Sequence, residues 1–277
     1  MQLPLSGPER FLAGFHDTDP GVTSRAFAHL PATLAGKSFA SSYDCLASAV
    51  PSVATGVLDL ACGDGYLLSL LAARRPPLRL LGVDLSAGEL ESARRRLGAS
   101  VPLHQARAQQ LPLADGAVDA VLCHMALMLM DDAPQVLAEV RRVLQPGGVF
   151  SAVVGGGSAS PAHQIFVGLL REQRKLPQFE SLRLGDRRLH SAEGIAQLFA
   201  TGFDAPAVEE IVLQWRSTPA GLWAWFAKMY DPGWLAADDR IALERSVLQA
   251  LQPLCEADGR IPHRVMLRRI TARRGPG

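Results

Sequence analysis

This sequence is poor in several things at once, and each shortage removes a class of function. Aromatic residues make up only 6% of its 277 residues, and tyrosine occurs three times. The charges nearly cancel, at 28 Lys and Arg against 27 Asp and Glu. A net charge of +1 leaves no overall electrostatic footprint for nucleic acid. No apolar run approaches the roughly 18 residues that a membrane-spanning helix needs. The opening MQLPLSGPERFLAGFHDTD lacks the basic start, apolar stretch and small-residue cleavage site of a secretory leader. The four cysteines, Cys45, Cys62, Cys123 and Cys255, form no CxxC pair. Free, mostly buried thiols in a reducing cytoplasm are the reading they favour. No His, Cys or Asp cluster has metal-ligand spacing, so no metal is expected. Internal repeats, low-complexity tracts and linkers are missing too.

Abundant instead are apolar residues, at 48%, enough for a sizeable core. From Gly56 to Val154 they fall into alternating strand and helix patterns. Strands are predicted at Val57–Ala61, Leu78–Asp84, Val101–Ala106, Ala117–His124 and Val149–Val154. Helices are predicted at Tyr66–Arg74, ended by Pro76 and Pro77, at Ala87–Leu97, and from Asp131, Asp132 and Pro134 to Pro146-Gly147-Gly148. Ser86 followed by Glu89 is a reciprocal capping pattern. Continuous apolar strands separated by helices make a parallel sheet covered on both faces, an α/β doubly wound fold. Further on, a helix is predicted over Gln164–Lys175 and another over Ser191–Phe199. Strands follow at Val208–Trp215 and Val265–Thr271, with a helical insert from Pro219 to Leu254 between them. The whole chain, 1–277, reads as one domain. Residues 1–50 form a cap, 51–155 a ligand-binding core, and 156–277 the last strands with lid inserts.

The segment VLDLACGDGYLL, Val57–Leu68, places Gly63 and Gly65 where a buried strand turns into a helix. Glycines there let the backbone turn sharply and approach a ligand, and the free N–H groups of the helix point at the turn. About 20 residues on, Asp84 ends the next strand, where a carboxylate binds ribose hydroxyls. A nucleoside-containing ligand fits this layout. A dinucleotide fits less well: its third glycine is replaced by Leu68, and Asp59 and Asp64 would repel a pyrophosphate. S-adenosylmethionine, with its sulfonium and ammonium, matches the acids.

DLACGDG (59–65), VDLS (83–86), QQLPLADGAVD (109–119), HMALMLMDD (124–132) and RVLQPGG (142–148) together resemble the class I, Rossmann-like, S-adenosylmethionine-dependent methyltransferases, in particular the small-molecule branch. The likeness runs from about Tyr43 to Val154. It implies a seven-stranded, mainly parallel sheet with an antiparallel last strand, and S-adenosylhomocysteine as product. By that resemblance Asp59 holds the methionine ammonium, directly or through water. Ala61, Cys62, Gly63 and Gly65 form the wall beneath the methionine. Asp84 binds the ribose, Leu85 packs on the adenine, and Ala108 offers its N–H with Gln109 beside it. Tyr43 is either an aromatic against the cofactor or a core tyrosine. Cys123 and His124 end the fourth strand, near where the sulfonium would lie. The family often has an acid before the Ala108 position; here Arg107 offers only donors, which leaves the adenine amino contact to another residue such as Gln109.

His124 is the candidate general base, with packing against the cofactor as the alternative. His16, His163, His190 and His263 read as surface or loop residues, with His163 and His190 also able to face a pocket. All four tryptophans lie between Trp215 and Trp234. Leu222, Phe226, Met229 and Tyr230 share a helical face that reads as core. Trp225 falls off that face, so Trp223, Trp225 and Tyr230 become candidates for a lid over an apolar or aromatic substrate, together with His163. The run with Arg171, Arg174, Lys175, Arg183, Arg187 and Arg188 against Glu172, Glu180 and Asp186 is either a solvated surface or an anchor for an acidic group. The function expected is methyl transfer to a small metabolite in the cytoplasm, with no nucleic acid or membrane partner. Left open are a cofactor-binding isomerase, cyclase or sensor and, more remotely, a nicotinamide-dependent oxidoreductase.

Overall fold

The computed structural model describes residues 5–75, 77–158, 160–173 and 184–275. One sheet organises the chain. Its parallel part is built from β3 (Gly56–Leu60), β4 (Arg79–Asp84), β5 (Leu103–Gln105), β6 (Val118–His124) and β7 (Leu144–Gly157). Helices α4 (Tyr66–Arg74), α5 (Ala87–Leu97) and α6 (Ala133–Val143) make the crossovers. Their bounds follow local chemistry. Gly65 caps α4 in a left-handed conformation, Ser86 accepts from the Glu89 N–H at the start of α5, and Asp132 accepts from the Gln135 N–H at the start of α6. Two apolar clusters result, one on each face of the sheet.

The last two strands are β8 (Ala207–Ser217) and β9 (Ile261–Arg273), and β9 runs antiparallel to both β7 and β8. Among the described residues the sheet has nine strands where seven were expected. The additional two, β1 (Ala32–Leu34) and β2 (Lys37–Phe39), are a hairpin from the N-terminal segment, with Thr33 paired to Val212 of β8. Three-residue strands carry too few alternating positions to stand out from a loop.

The Pro146-Gly147-Gly148 turn expected before the fifth strand lies inside β7, and α6 ends earlier, at Val143. Val118 pairs with Leu144 and Ala120 with Val149, so the extra residues of β7 bulge there. Gly148 suits the bulge, since a Cβ would sit 3.0 Å from the Asp119 carbonyl.

Ahead of the sheet come α1 (Gly7–Thr18), α2 (Val22–Phe27) and α3 (Ser42–Ala47). The full Ser6/Glu9 capping box opens α1. After β7 come α7 (Pro161–Gln173) and α8 (Ala192–Phe199). The insert expected as one helical stretch over Pro219–Leu254 is three helices, α9 (Pro219–Phe226), α10 (Tyr230–Gly233) and α11 (Ala237–Leu251). Pro76, Arg174, Lys175, Glu180 and Arg183, which figured in the expected helix stop and charged insert, lie outside the described residues. Among the described residues no helix is long and apolar enough to cross a membrane. All four cysteines are free, and Cys45, Cys62 and Cys123 are buried.

Candidate cofactor and acceptor site

At the carboxyl ends of β3 and β4 the chain turns through Ala61, Gly63 and Gly65, all at positive φ (58°, 51° and 76°). The turn is held by hydrogen bonds from the Cys62 N–H to the Val83 carbonyl (3.0 Å) and from the Gly65 N–H to the Cys62 carbonyl (3.0 Å). Asp84 accepts from the N–H groups of Gly63 (2.8 Å) and Ser86 (2.9 Å). Those bonds offset part of the burial that pushes its carboxyl upward. Asp64 also lines the cavity beside this turn, with its carboxylate accepting from the Ser24 hydroxyl (2.8 Å) and pairing with Arg96.

A cavity opens over this turn. It is lined by Tyr43, Asp59, Ala61, Cys62, Gly63, Asp84, Leu85, Ala108, Gln109 and His124, ten of the residues expected at the ligand site. Gly65 and Cys123 are not on its wall. Gly65 serves packing: a Cβ there would stand 2.8 Å from Leu97 of α5. Cys123 belongs to the opposite face of the sheet from His124, as alternation along β6 requires, and is buried in the second apolar cluster. Leu68, at the position of a dinucleotide site's third glycine, fills space above Gly82, where a Cβ would stand 3.0 Å from it.

Asp59 is buried, and its Oδ2 has no hydrogen-bond partner. Burial pushes its carboxyl well above the usual range, and Asp84 and Asp64 add to the shift. A buried carboxylate oxygen without a partner is costly unless a cation or donor reaches it. The ammonium of an amino-acid moiety is such a group, and the positive-φ turn beside it gives the backbone close approach. These residues therefore fit S-adenosylmethionine.

Arg107 forms an ion pair with the buried Glu9 of α1 (2.9 Å), and both line the cavity. An acid thus stands at Arg107 on the cavity wall, delivered from a distant part of the chain. Gln109 is engaged elsewhere, donating to the Asp131 carbonyl (2.6 Å).

His124 is stacked on Tyr43, with ring centres 3.6 Å apart, and its Nε2 lies 2.9 Å from the Ser42 hydroxyl. Burial pulls its imidazole down to about 3, so the ring is neutral at physiological pH. A base must hold a proton, and these surroundings oppose that. They favour the packing alternative over the general base.

A second cavity adjoins the first and shares Thr23, Met125, Leu129 and Tyr230 with it. Phe27, Met128, Met229, Met266, Val265 and Trp225 give it an apolar wall. His163 and Tyr230 line it as well, but Trp223 does not: it is buried in the first apolar cluster. Trp225 is both wall and core, since it is buried and its Nε1 donates to the Ala26 carbonyl (3.0 Å). Sequence reasoning missed Glu9, His16, Glu89 and Met125 as cavity residues. Only the SGPE capping box, which announces α1, signals the first two. Glu89 was read as half of a cap, but its carboxylate instead meets His16 (2.8 Å) and the Gly21 N–H (2.8 Å).

Strand order, the glycine turn and the crossover helices define an α/β fold of the Rossmann type. Residues 58–152 match the family described as "Methyltransferase domain". That stretch holds the glycine turn and both strand-end acids, so the core of this chain is similar to the methyltransferases. Demethylmenaquinone methyltransferase of Symbiobacterium thermophilum is 41% identical over 100 residues, 34% of this chain and 40% of that protein. Trans-aconitate 2-methyltransferase of Deinococcus radiodurans is 30% identical over 138 residues, half of each chain. The chain thus spans about 40–50% of the length of these curated relatives. The crystal structure of the cyclase SpnF superposes with a TM-score of 0.58 at 18% identity, covering 99% of both chains, a likeness of fold. Among the described residues no group of three or more His, Cys, Asp or Glu could hold a metal ion.

Proposed function

We propose that this protein transfers a methyl group from S-adenosylmethionine to a small, apolar or aromatic metabolite. The observation that carries the reading is the unpartnered Oδ2 of Asp59, buried beside a positive-φ glycine turn and Asp84. Asp59 receives the ammonium, Gly63 and its neighbours floor the methionine, and Asp84 takes the ribose hydroxyls. Glu9, held by Arg107, faces the adenine edge. The bound cofactor supplies an electrophilic methyl group. This chain's part is to align it with an acceptor in the second cavity and to exclude water, which is where the rate gain of such a displacement arises. The curated relatives named above are methyltransferases of small molecules, which supports the substrate class.

Ligands that bind only the folded state raise its stability. Thermal denaturation with S-adenosylmethionine or S-adenosylhomocysteine should shift upward by several degrees, and NADH should give no shift. The reverse pattern overturns the reading. Release of S-adenosylhomocysteine with a metabolite extract then separates methyl transfer from other uses of the cofactor. Asp84→Ala should weaken cofactor binding by about 1.5–3 kcal/mol, the range for hydrogen bonds to a charged group. Calorimetric titration that finds wild-type affinity in this variant would refute the ribose assignment.

A further inference from the structure

Tyr230, the first residue of α10, stands on the wall shared by the two cavities. Its hydroxyl lies 2.9 Å from Nε2 of His16 on α1. The other nitrogen of that ring, Nδ1, lies 2.8 Å from Oε1 of the buried Glu89 on α5. The second oxygen of Glu89 accepts the Gly21 N–H at 2.8 Å. An ionised carboxylate only accepts, so Nδ1 carries the ring proton and Nε2 is left to accept from Tyr230. Three elements far apart in sequence thus converge on a tyrosine–histidine–glutamate chain. The aromatic rings of Phe11 and Phe15 pack against Tyr230, at centre distances of 6.3 and 4.8 Å.

Resting on the transferase reading above, we propose that Tyr230, His16 and Glu89 form a proton relay that takes the hydroxyl proton of a phenol or enol acceptor held in the second cavity. Tyr230 is the catalytic residue; His16 and Glu89 are positioning residues that act through it. The acceptor O–H passes its proton to the Tyr230 oxygen as the Tyr230 proton passes to Nε2. The electron pair left on the acceptor oxygen forms the new bond to the methyl carbon. The carbon–sulfur bond breaks, and its pair stays on sulfur. The products are a methyl ether, a neutral thioether and an imidazolium beside the Glu89 carboxylate, and the imidazolium later loses its proton to solvent. His16 suits that last step because its side chain keeps 17% of its exposure.

The substrate class follows from the same geometry. A carboxylic acid is already ionised and needs no relay, and an aliphatic alcohol is too weak an acid for a tyrosine to deprotonate. A phenol or enol falls between, and its apolar body suits a wall of methionine and aromatic side chains. The groups that face His16 are Glu89 on α5 and Tyr230 on α10, with Asp84 at the end of β4 close by. Glu9, two turns back along α1, is neutralised by Arg107. His124 stands outside this chain, its ring stacked on Tyr43 and its Nε2 facing the Ser42 hydroxyl.

The test uses 4-nitrophenol as probe, added to the full chain saturated with S-adenosylhomocysteine, which fills the first cavity. Absorbance reports whether the bound probe is phenol or phenolate. In wild type the phenolate fraction should exceed that in water at the same pH by about tenfold in ratio, one pKa unit. Y230F and H16N should abolish that excess, and E89Q should reduce it. Nitrogen NMR of His16 should show the ring becoming imidazolium when the probe is added to wild type. Failure of S-adenosylhomocysteine to bind wild type overturns the transferase reading itself. Binding of S-adenosylhomocysteine without saturable binding of the probe overturns the substrate class. An ionisation ratio within twofold of wild type in Y230F and H16N, or an unchanged His16 spectrum, overturns the relay alone.

Discussion

Asp59→Asn should make the cofactor-free protein more stable at neutral pH and at the same time weaken cofactor binding by about two to four orders of magnitude. Both effects come from one carboxyl group. Buried, with one oxygen unpartnered, Asp59 has a folded-state pKa well above its usual value. In an unfolded chain the group titrates near 3.9. Between those two values the folded state holds a proton that the unfolded state has lost, so stability falls as pH rises through that window. Asparagine has no such titration, and the destabilisation above the window disappears with it. For the ligand the sign reverses. An ammonium entering this site would lose its charged partner, and removing one member of a buried ion pair costs about 3–5 kcal/mol. Scanning calorimetry of the free protein and titration with S-adenosylhomocysteine measure the two halves. A variant with a lower melting temperature and an intact affinity contradicts the assignment on both counts.

Trp225→Ala should lower stability by about 3–5 kcal/mol, the usual loss for a buried tryptophan truncated to alanine. The indole is almost fully buried, donates to the Ala26 carbonyl at 3.0 Å, and meets Phe27 and Trp215 edge-on with centres 6.0 and 5.3 Å away. Its loss leaves a buried carbonyl without its donor as well as a void. For a chain of this size the melting temperature should drop by roughly 6–20 °C, at about 2–4 °C per kcal/mol. The same indole walls the second cavity but not the first. Affinity for S-adenosylhomocysteine, measured well below the new melting temperature, should therefore change far less than stability does. Equal losses in both would mean that the truncation disturbs the glycine turn, which contradicts the separation of the two cavities.

The parallel half of the sheet was legible because its signals are local. The helices Tyr66–Arg74 and Ala87–Leu97 have the bounds expected from leucine spacing, proline and the Ser86 cap. Asp59, Gly63 and Asp84 are recognisable for the same reason: each sits at a strand end, and strand ends can be read from apolar runs. Residues that act across the fold were not legible. His16 reads as a surface histidine until α1 is laid against α5, where Glu89 abandons the reciprocal cap to meet it. Glu9 gives no sign of its pairing with Arg107, 98 positions away. Trp225 shows why helical periodicity alone misleads in a lid, since a side chain off the apolar stripe of its own helix can be buried by other elements. His124 was rightly placed at a strand end, but only its neighbours Tyr43 and Ser42 reveal a neutral, stacked ring.

The hairpin of β1 and β2 has a consequence for how copies of this chain behave toward one another. Without it, the eleven residues of β8 would form one margin of the sheet, a row of open N–H and C=O groups on which a strand of another molecule could lie. The hairpin takes that margin and ends it in β2, three residues long and opening on Lys37, where a second strand finds little to pair with and a charge to desolvate. The opposite margin, β5, is equally short. A sheet of nine strands is in this way closed to growth from either side, and the chain is protected from edge-to-edge aggregation.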